Sequence, residues 1–360
     1  MASVPLFSPN FSPVLLSASC YSARTMRKTA LLFLLLASLC YAESFRLAAG
    51  SCLKPKKGEK IFDTILTTKP DAFLFLGDNH YADTTDMAKL VESYQKLTNL
   101  ESYQRLRAAV PILATWDDHD YGENDAGREF IARESSQAIF LDSFQFPADH
   151  PARSRAGIYH QVFLGEGEQR VQVIILDTRY HRSELIRKRI NNRKAYFPQT
   201  DPNATILGEE QWAWLEKVLK EKAALRIVAT SIQAIMTDHR FEKWNNIPAE
   251  RKKLFKTLQK GGNTPIVLLS GDRHLAEVCK ADVDETGLPF PLYEMTTSGL
   301  NRAGSPEYPS NYRVPGTHYN KRNFGTVTAD FSKEKYPQVT LRIHDVDGHI
   351  VTSTKIPFRN

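Results

Sequence analysis

The chain has 360 residues, 42% of them hydrophobic, and a net charge of +6 at neutral pH. That is enough apolar material for a large core, built as one big domain or two ordinary ones. The charge is mild, and beyond residue 42 the chain shows no basic block that argues for a nucleic-acid groove, no internal repeat and no low-complexity linker.

Residues 1–25, rich in Ser, Pro and Phe, read as an upstream extension ahead of "MRKTALLFLLLASLCYAES". Met26 is the expected start. The basic pair Arg27-Lys28, the apolar stretch from Ala30 to Leu39 and the small-residue site Cys40-Tyr41-Ala42 give the three-part layout of a secretory signal, so the protein is expected to be exported. The apolar run is short of the ~20 residues that span a bilayer. A membrane anchor, and a lipoprotein site at Cys40 after the awkward Leu39, stand as alternatives to cleavage after Ala42. Loss of residues 1–42 removes Arg24, Arg27 and Lys28 and no acid, which halves the net charge, and it leaves two cysteines, Cys52 and Cys279. In an exported protein such a pair suggests a disulfide.

From residue 43 onward a single α/β domain is expected. "FRLAAGSC" (45–52) is a short extended run, followed by an amphipathic helix at 60–67, a turn at Lys69-Pro70 and a buried strand at 72–77. Residues 84–108 have helical spacing, "VPILATWDD" is the next strand, and 126–145 again reads as helical. "VQVIILDTR" (171–179), "RIVATSIQ" (226–233) and "TPIVLLSGD" (264–272) are apolar runs too short for helices, with an amphipathic helix at 209–222 among them. The tail alternates with period two and carries an Asp347-Gly348 hairpin signal. Helices alternating with strands, then hairpins, describe one α/β domain with a layered sheet core.

Four apolar strands end in groups able to bind metals: Cys52; Asp78, His80 and Tyr81; Asp117, Asp118, His119, Asp120 and Asn124; Asp272 and His274. In layered α/β folds such strand ends line one crevice. Singly, each has a bland reading, since an Asp after a strand often caps a helix or closes a turn. Together, so many carboxylates in one crevice cannot all stay ionised without cations. Mixed oxygen, nitrogen and thiolate donors favour transition metals, while surplus oxygens suit calcium or magnesium. A two-metal centre serving phosphoryl chemistry fits this inventory best.

"GSC", "GDNHYAD", "TWDDHDYGEND", "LDTRYHR", "FEKWNNIPAER" and "LLSGDRHLAEV" occur in the order seen in PhoD-like alkaline phosphatases and phosphodiesterases. From about Phe45 to Leu300 the chain resembles that family of the metallophosphoesterase superfamily. The resemblance implies a four-layer α/β/β/α sandwich with a dinuclear or larger centre of Fe(III) and calcium, with Zn, Mn and Mg as other candidates. It places Asp78 as the metal bridge, Tyr81, Cys52 and His274 on the iron, and Asp272 on the second ion. Asp118 aligns where the wider superfamily has an Asn ligand, and Asn124 is the alternative donor. His119 matches the His that contacts phosphate and protonates the leaving group. Arg179 is either a phosphate contact or a salt-bridge partner.

Two departures stand out. Cys52 replaces the usual Asp-x-His motif, and the His after the fifth strand is missing, with Ser231 and Gln233 there and His239 a weak substitute. The implied function is an exported phosphoric ester hydrolase in which a metal-bound hydroxide attacks a small phosphorylated substrate, the expected form being a monomer with no membrane span. Its rivals are a diesterase acting on lipid, nucleic acid or cell-wall polymer, and a silent metal- or phosphate-binding relative.

Overall fold

The structure is a computed structural model that describes residues 44–332 and 335–358; the expected signal segment and its cleavage site lie outside these. Chain order begins with β1 (Ser44–Gly50), α1 (Ile61–Thr67), β2 (Ala72–Leu76), α2 (Met87–Thr98), α3 (Glu101–Ala109), β3 (Ile112–Thr115), α4 (Asp118–Tyr121) and α5 (Arg133–Ser143). Next come β4 (His160–Leu164), β5 (Val171–Ile175), β6 (Ile186–Ile190), β7 (Arg193–Phe197), α6 (Gly208–Val218), β8 (Leu225–Ala229), α7 (Pro248–Leu258) and β9 (Ile266–Ser270). The chain ends with β10 (Ala276–Ala281), α8 (Val283–Thr286), β11 (Leu292–Thr297), β12 (Asn323–Asp330), β13 (Gln338–Asp345) and β14 (Ile350–Ile356).

Two six-stranded sheets form, ordered β14-β13-β12-β1-β2-β3 and β10-β11-β9-β8-β5-β4. Strands β2, β5, β8 and β9 are buried throughout. Their largely apolar sequences, broken inside the strands only by Gln172 and Arg226, are what a parallel strand covered on both faces requires. Leu47, Leu74 and Val327 of the first sheet share one core with Val173, Ile227, Leu269 and Met295 of the second. On the first sheet's other face Phe73 and Phe75 pack with Phe62, Leu90, Tyr103 and Phe140 from α1, α2, α3 and α5. On the second sheet's other face Ile174, Val228 and Leu268 meet Trp212 and Leu215 of α6 and Leu254 of α7. The layers are therefore α/β/β/α, as the resemblance implies.

The sequence reading differs from the structure at element ends. The single helix expected over 84–108 is two, because Leu100 is extended (φ −68°, ψ 122°) after the Asn99 cap. The helix expected over 126–145 begins only at Arg133. Cys52 and Cys279 are both free and buried, so the two form no disulfide: one lies at the end of β1, the other within β10 on the helix-covered face.

Strands β1, β2 and β3 run parallel, as do β5, β8, β9 and β11. A parallel bridge between Ser51 and Ser298 ties the end of β1 to the end of β11. Both sheets thus open on the same edge, with their C-terminal strand ends in contact.

Candidate metal centre

Each parallel strand delivers polar groups to that edge. After β1, the Cys52 Sγ lies 3.0 Å from Ser298 Oγ and 3.3 Å from Asp78 Oδ2. After β2, the Tyr81 hydroxyl donates to Asp78 Oδ2 at 2.9 Å and sits 2.9 Å from His274 Nε2. Thus Cys52, Asp78, Tyr81 and His274 form one continuous group. After β3, Asp118 accepts the Asp125 N–H at 2.7 Å through Oδ2. His119 Nδ1 lies 2.6 Å from Asp83 Oδ1.

Ligand atoms of Cys52, Asp78 and His274 lie within 4.8 Å of one another, and so do those of Asp78, Asp118 and His119, and of Asp117, Asp118 and Asp272. These sets overlap at Asp78 and Asp118, the pattern of two neighbouring ion positions rather than one. The fit to cations is tested by unsatisfied oxygens. Buried Asp78 Oδ1, Asp117 Oδ2, Asp118 Oδ1 and Asp272 Oδ2 accept no hydrogen bond. A buried polar atom left without a partner costs about 1–3 kcal/mol, and more when charged. Four in one crevice fit hard cations, and the adjoining thiol, phenol and imidazole fit a softer one.

Electrostatics agree. Burial, with the nearby Cys52 and Asp118, holds the Asp78 carboxyl well above its ordinary range. Burial pushes Asp272 up to about 7, against the pull of Arg273. Burial likewise opposes ionisation of Asp118, but His119 and Arg179 draw it down to about 2. Burial works against a charged His119, yet Asp118 and Asp83 raise it to about 10. Burial, reinforced by Arg302, lowers His274 to about 4, leaving a neutral imidazole of the kind metals bind. Burial also raises the Cys52 thiol, so a cation is needed to make it a thiolate.

Of the residues singled out from sequence, Cys52, Asp78, Tyr81, Asp118, His119, Asp272 and His274 meet at this edge. Asn124 stands apart from the hydrogen-bonded group but lines the same mouth, exposed, its Nδ2 donating to the Asp125 carboxylate. Arg179 is fully buried behind the cluster, its Nε 2.6 Å from Asp117 Oδ1 and its Nη1 2.7 Å from Glu242 Oε2. Asp177, at the end of β5, shapes this turn by accepting the Arg179 N–H at 2.9 Å and the Trp116 indole N–H at 2.9 Å. His80 is buried against Tyr94 with neither ring nitrogen bonded. His239 bonds Gln233 at 2.9 Å and belongs to none of the gathered sets.

The sequence reading missed Ser298, which holds Cys52 and accepts the His274 N–H at 2.8 Å. Its signal was the polar run Thr296-Thr297-Ser298 closing an apolar strand. Also missed were Asp83, Glu242 and Arg302, whose guanidinium lies 4.0 Å from the centre of the Tyr81 ring. A mouth of about 290 Å³ leads to the cluster, lined by His119, Asp272 and His274 together with Lys194, Tyr196 and Arg240.

A four-layer α/β/β/α sandwich whose parallel strands converge on such a cluster defines a protein of the class that gathers metal-binding groups at one sheet edge. More narrowly, the chain belongs to the PhoD-like phosphatase family, whose family model matches residues 45–347. It is 23% identical over 241 residues to alkaline phosphatase D of Bacillus subtilis (strain 168), which covers 58% of this chain. The chain spans only 40% of that relative's length. Solved structures of similar fold include PhoD, at 19% identity and TM-score 0.60, covering 87% of this chain and 72% of PhoD. Another is GAP50, the anchor in the inner membrane complex of Plasmodium, at 12% identity and TM-score 0.54, covering 88% of this chain and 90% of GAP50.

Proposed function

We propose that this protein is an exported, metal-dependent phosphoric ester hydrolase. The observation that carries the proposal is the set of four buried, unpartnered aspartate oxygens beside a thiol, a phenol and an imidazole. Cys52, Tyr81 and His274 would hold a ferric ion, Asp118 and Asp272 a calcium ion, and Asp78 both. When bound, such a pair would activate water and neutralise charge on a phosphoryl group.

The chain's own residues do the rest. His119, oriented by Asp83, is placed to give a proton to the departing ester oxygen. Arg179 acts as a positioning residue, fixing Asp117 and Glu242, rather than as a phosphate contact. Arg302 and Arg240 put positive charge at the mouth and draw an anionic substrate toward it.

The test is purified protein loaded with iron and calcium, its metal content measured, assayed on an aryl phosphomonoester and an aryl phosphodiester. Turnover of either is expected, with loss on chelation and a fall in Tm, since ions that bind only the folded state stabilise it. Metal bound with neither ester cleaved would overturn the proposal.

A further inference from the structure

The β6–β7 hairpin stands outside both sheets and contains Arg187, Lys188, Arg189, Arg193 and Lys194 with no acidic residue. Residues 187–194 hold five Lys or Arg in eight positions, a basic block that corrects the expectation of none beyond residue 42. Its register pairs Arg187 with Tyr196 and Arg189 with Lys194. Residues directly opposite share a face, and faces alternate along a strand. One face therefore presents Arg187, Arg189, Lys194 and Tyr196, while the other carries Ile186, Lys188, Ile190 and Arg193.

The first face adjoins the metal centre, because Lys194 and Tyr196 line its mouth. The attachment is firm: the Lys194 ammonium and the Tyr196 hydroxyl both reach the Asp125 carboxylate, and the Asp125 N–H donates to Asp118. The Tyr196 N–H also donates to the Arg240 carbonyl at 2.8 Å. Arg187 and Arg189 are different. Both are exposed, and neither pairs with a carboxylate among the described residues. A hairpin face that gathers like charges beside an anion-processing centre, with its outer guanidiniums uncommitted, is complementary to a second anionic group. Guanidiniums also meet phosphate oxygens in a two-pronged geometry.

We propose that this face is a second phosphate subsite, holding a phosphate other than the one being cleaved, so that substrates with several phosphates are favoured over those with one. The inference rests on the phosphoesterase reading of the adjoining centre. The second phosphate could belong to a compact oligophosphate or to an extended phosphodiester chain, and the arms of the test separate these.

The test uses the metal-loaded protein and its Arg187→Gln/Arg189→Gln variant, whose exposed, unpaired positions leave the fold intact. Binding of orthophosphate, inorganic tripolyphosphate and a short thymidine oligonucleotide is measured by calorimetry. Tripolyphosphate affinity should fall roughly tenfold, the loss of one or two charge-assisted contacts, with orthophosphate affinity unchanged. A parallel fall for the oligonucleotide assigns the subsite to extended chains, and its absence to compact oligophosphates. An Ile186→Gln/Ile190→Gln variant, altered on the opposite face, should bind tripolyphosphate as the wild type does. Equal tripolyphosphate affinity in wild type and the arginine variant would overturn the inference. Because binding is read without turnover, absent hydrolysis defeats the phosphoesterase reading, and an unchanged binding ratio defeats only the subsite.

Discussion

Replacing Arg179 with Gln separates two roles that its sequence context allowed. The guanidinium has no exposure to solvent and reaches Asp117 at 2.6 Å and Glu242 at 2.7 Å, with Asp118 3.9 Å away. Removing one partner of a buried ion pair costs about 3–5 kcal/mol, because the other charge is left uncompensated. Here buried Asp117 loses its cationic partner, while Glu242 keeps only Arg182, 3.0 Å away. For a domain of this size the expected drop in Tm is on the order of 5–15 °C. The kinetic signature should be a fall in kcat with little change in KM, as Asp117 and the segment bearing Asp118 and His119 lose their support. Arg179→Lys should rescue little, since one ammonium cannot replace a fork spanning Asp117 and Glu242. Thermal unfolding and steady-state kinetics on an aryl phosphoester measure both effects. A variant with unchanged Tm and a raised KM would refute the argument and return Arg179 to the role of phosphate contact.

Two further outcomes follow from named contacts. His119→Asn should slow hydrolysis of an alkyl phosphoester by roughly 10²–10⁴-fold while costing a nitrophenyl ester far less, because a good leaving group needs no proton; equal losses on both would exclude general-acid action. His160, far from the cluster in sequence, is buried with Nδ1 donating to the Ile158 carbonyl at 2.8 Å, and burial pushes its pKa down to about 4. The unfolded chain therefore binds a proton there that the folded chain does not, so this contribution is complete above about pH 6.5 and is lost as pH falls toward 4. Urea midpoints at neutral and mildly acidic pH should differ more for the wild type than for His160→Asn; identical acid sensitivity would exclude the link.

The parallel core was legible because "AFLFL", "VQVII", "LRIVA" and "IVLLS" are short apolar runs, each cut off by polar residues. The β6–β7 hairpin was not, because a two-stranded ribbon with every residue of β6 exposed leaves no hydrophobic alternation to read. Nor was helix α7, because its charged run PAERKKLFKTL carries only three large apolar side chains, Leu254, Phe255 and Leu258. Within the site, titratable residues announced themselves at strand ends, whereas Ser298 acts through a hydroxyl and carries no such mark. Arg179 and Asn124 show a different limit. Residue type gave each a plausible chemistry, but burial in one case and an exposed place at the mouth in the other determine what each can touch.

A deeper constraint was also invisible: Cys52, Asp78, Asp272 and His274 all have left-handed backbones, with φ of 59°, 51°, 63° and 53°. Non-glycine residues rarely adopt this region, and each instance costs on the order of 1–3 kcal/mol unless the surroundings enforce it. Here the surroundings do. At Gly77, φ is +93° and an added Cβ would lie 2.5 Å from the Asp117 Cβ. At Gly271 it would lie 2.6 Å from the Leu76 carbonyl oxygen and 2.7 Å from Ser51 Oγ. The two sheets therefore interlock at their strand ends, and the absence of side chains at these two points lets the turns reverse sharply. That reversal aims Cys52, Asp78, Asp272 and His274 into a shared gap instead of along their strands. Packing of the sandwich thus holds the donors in place before any ion arrives, which is why a site of so many like charges is compatible with a folded protein and why its geometry is preorganised for cations.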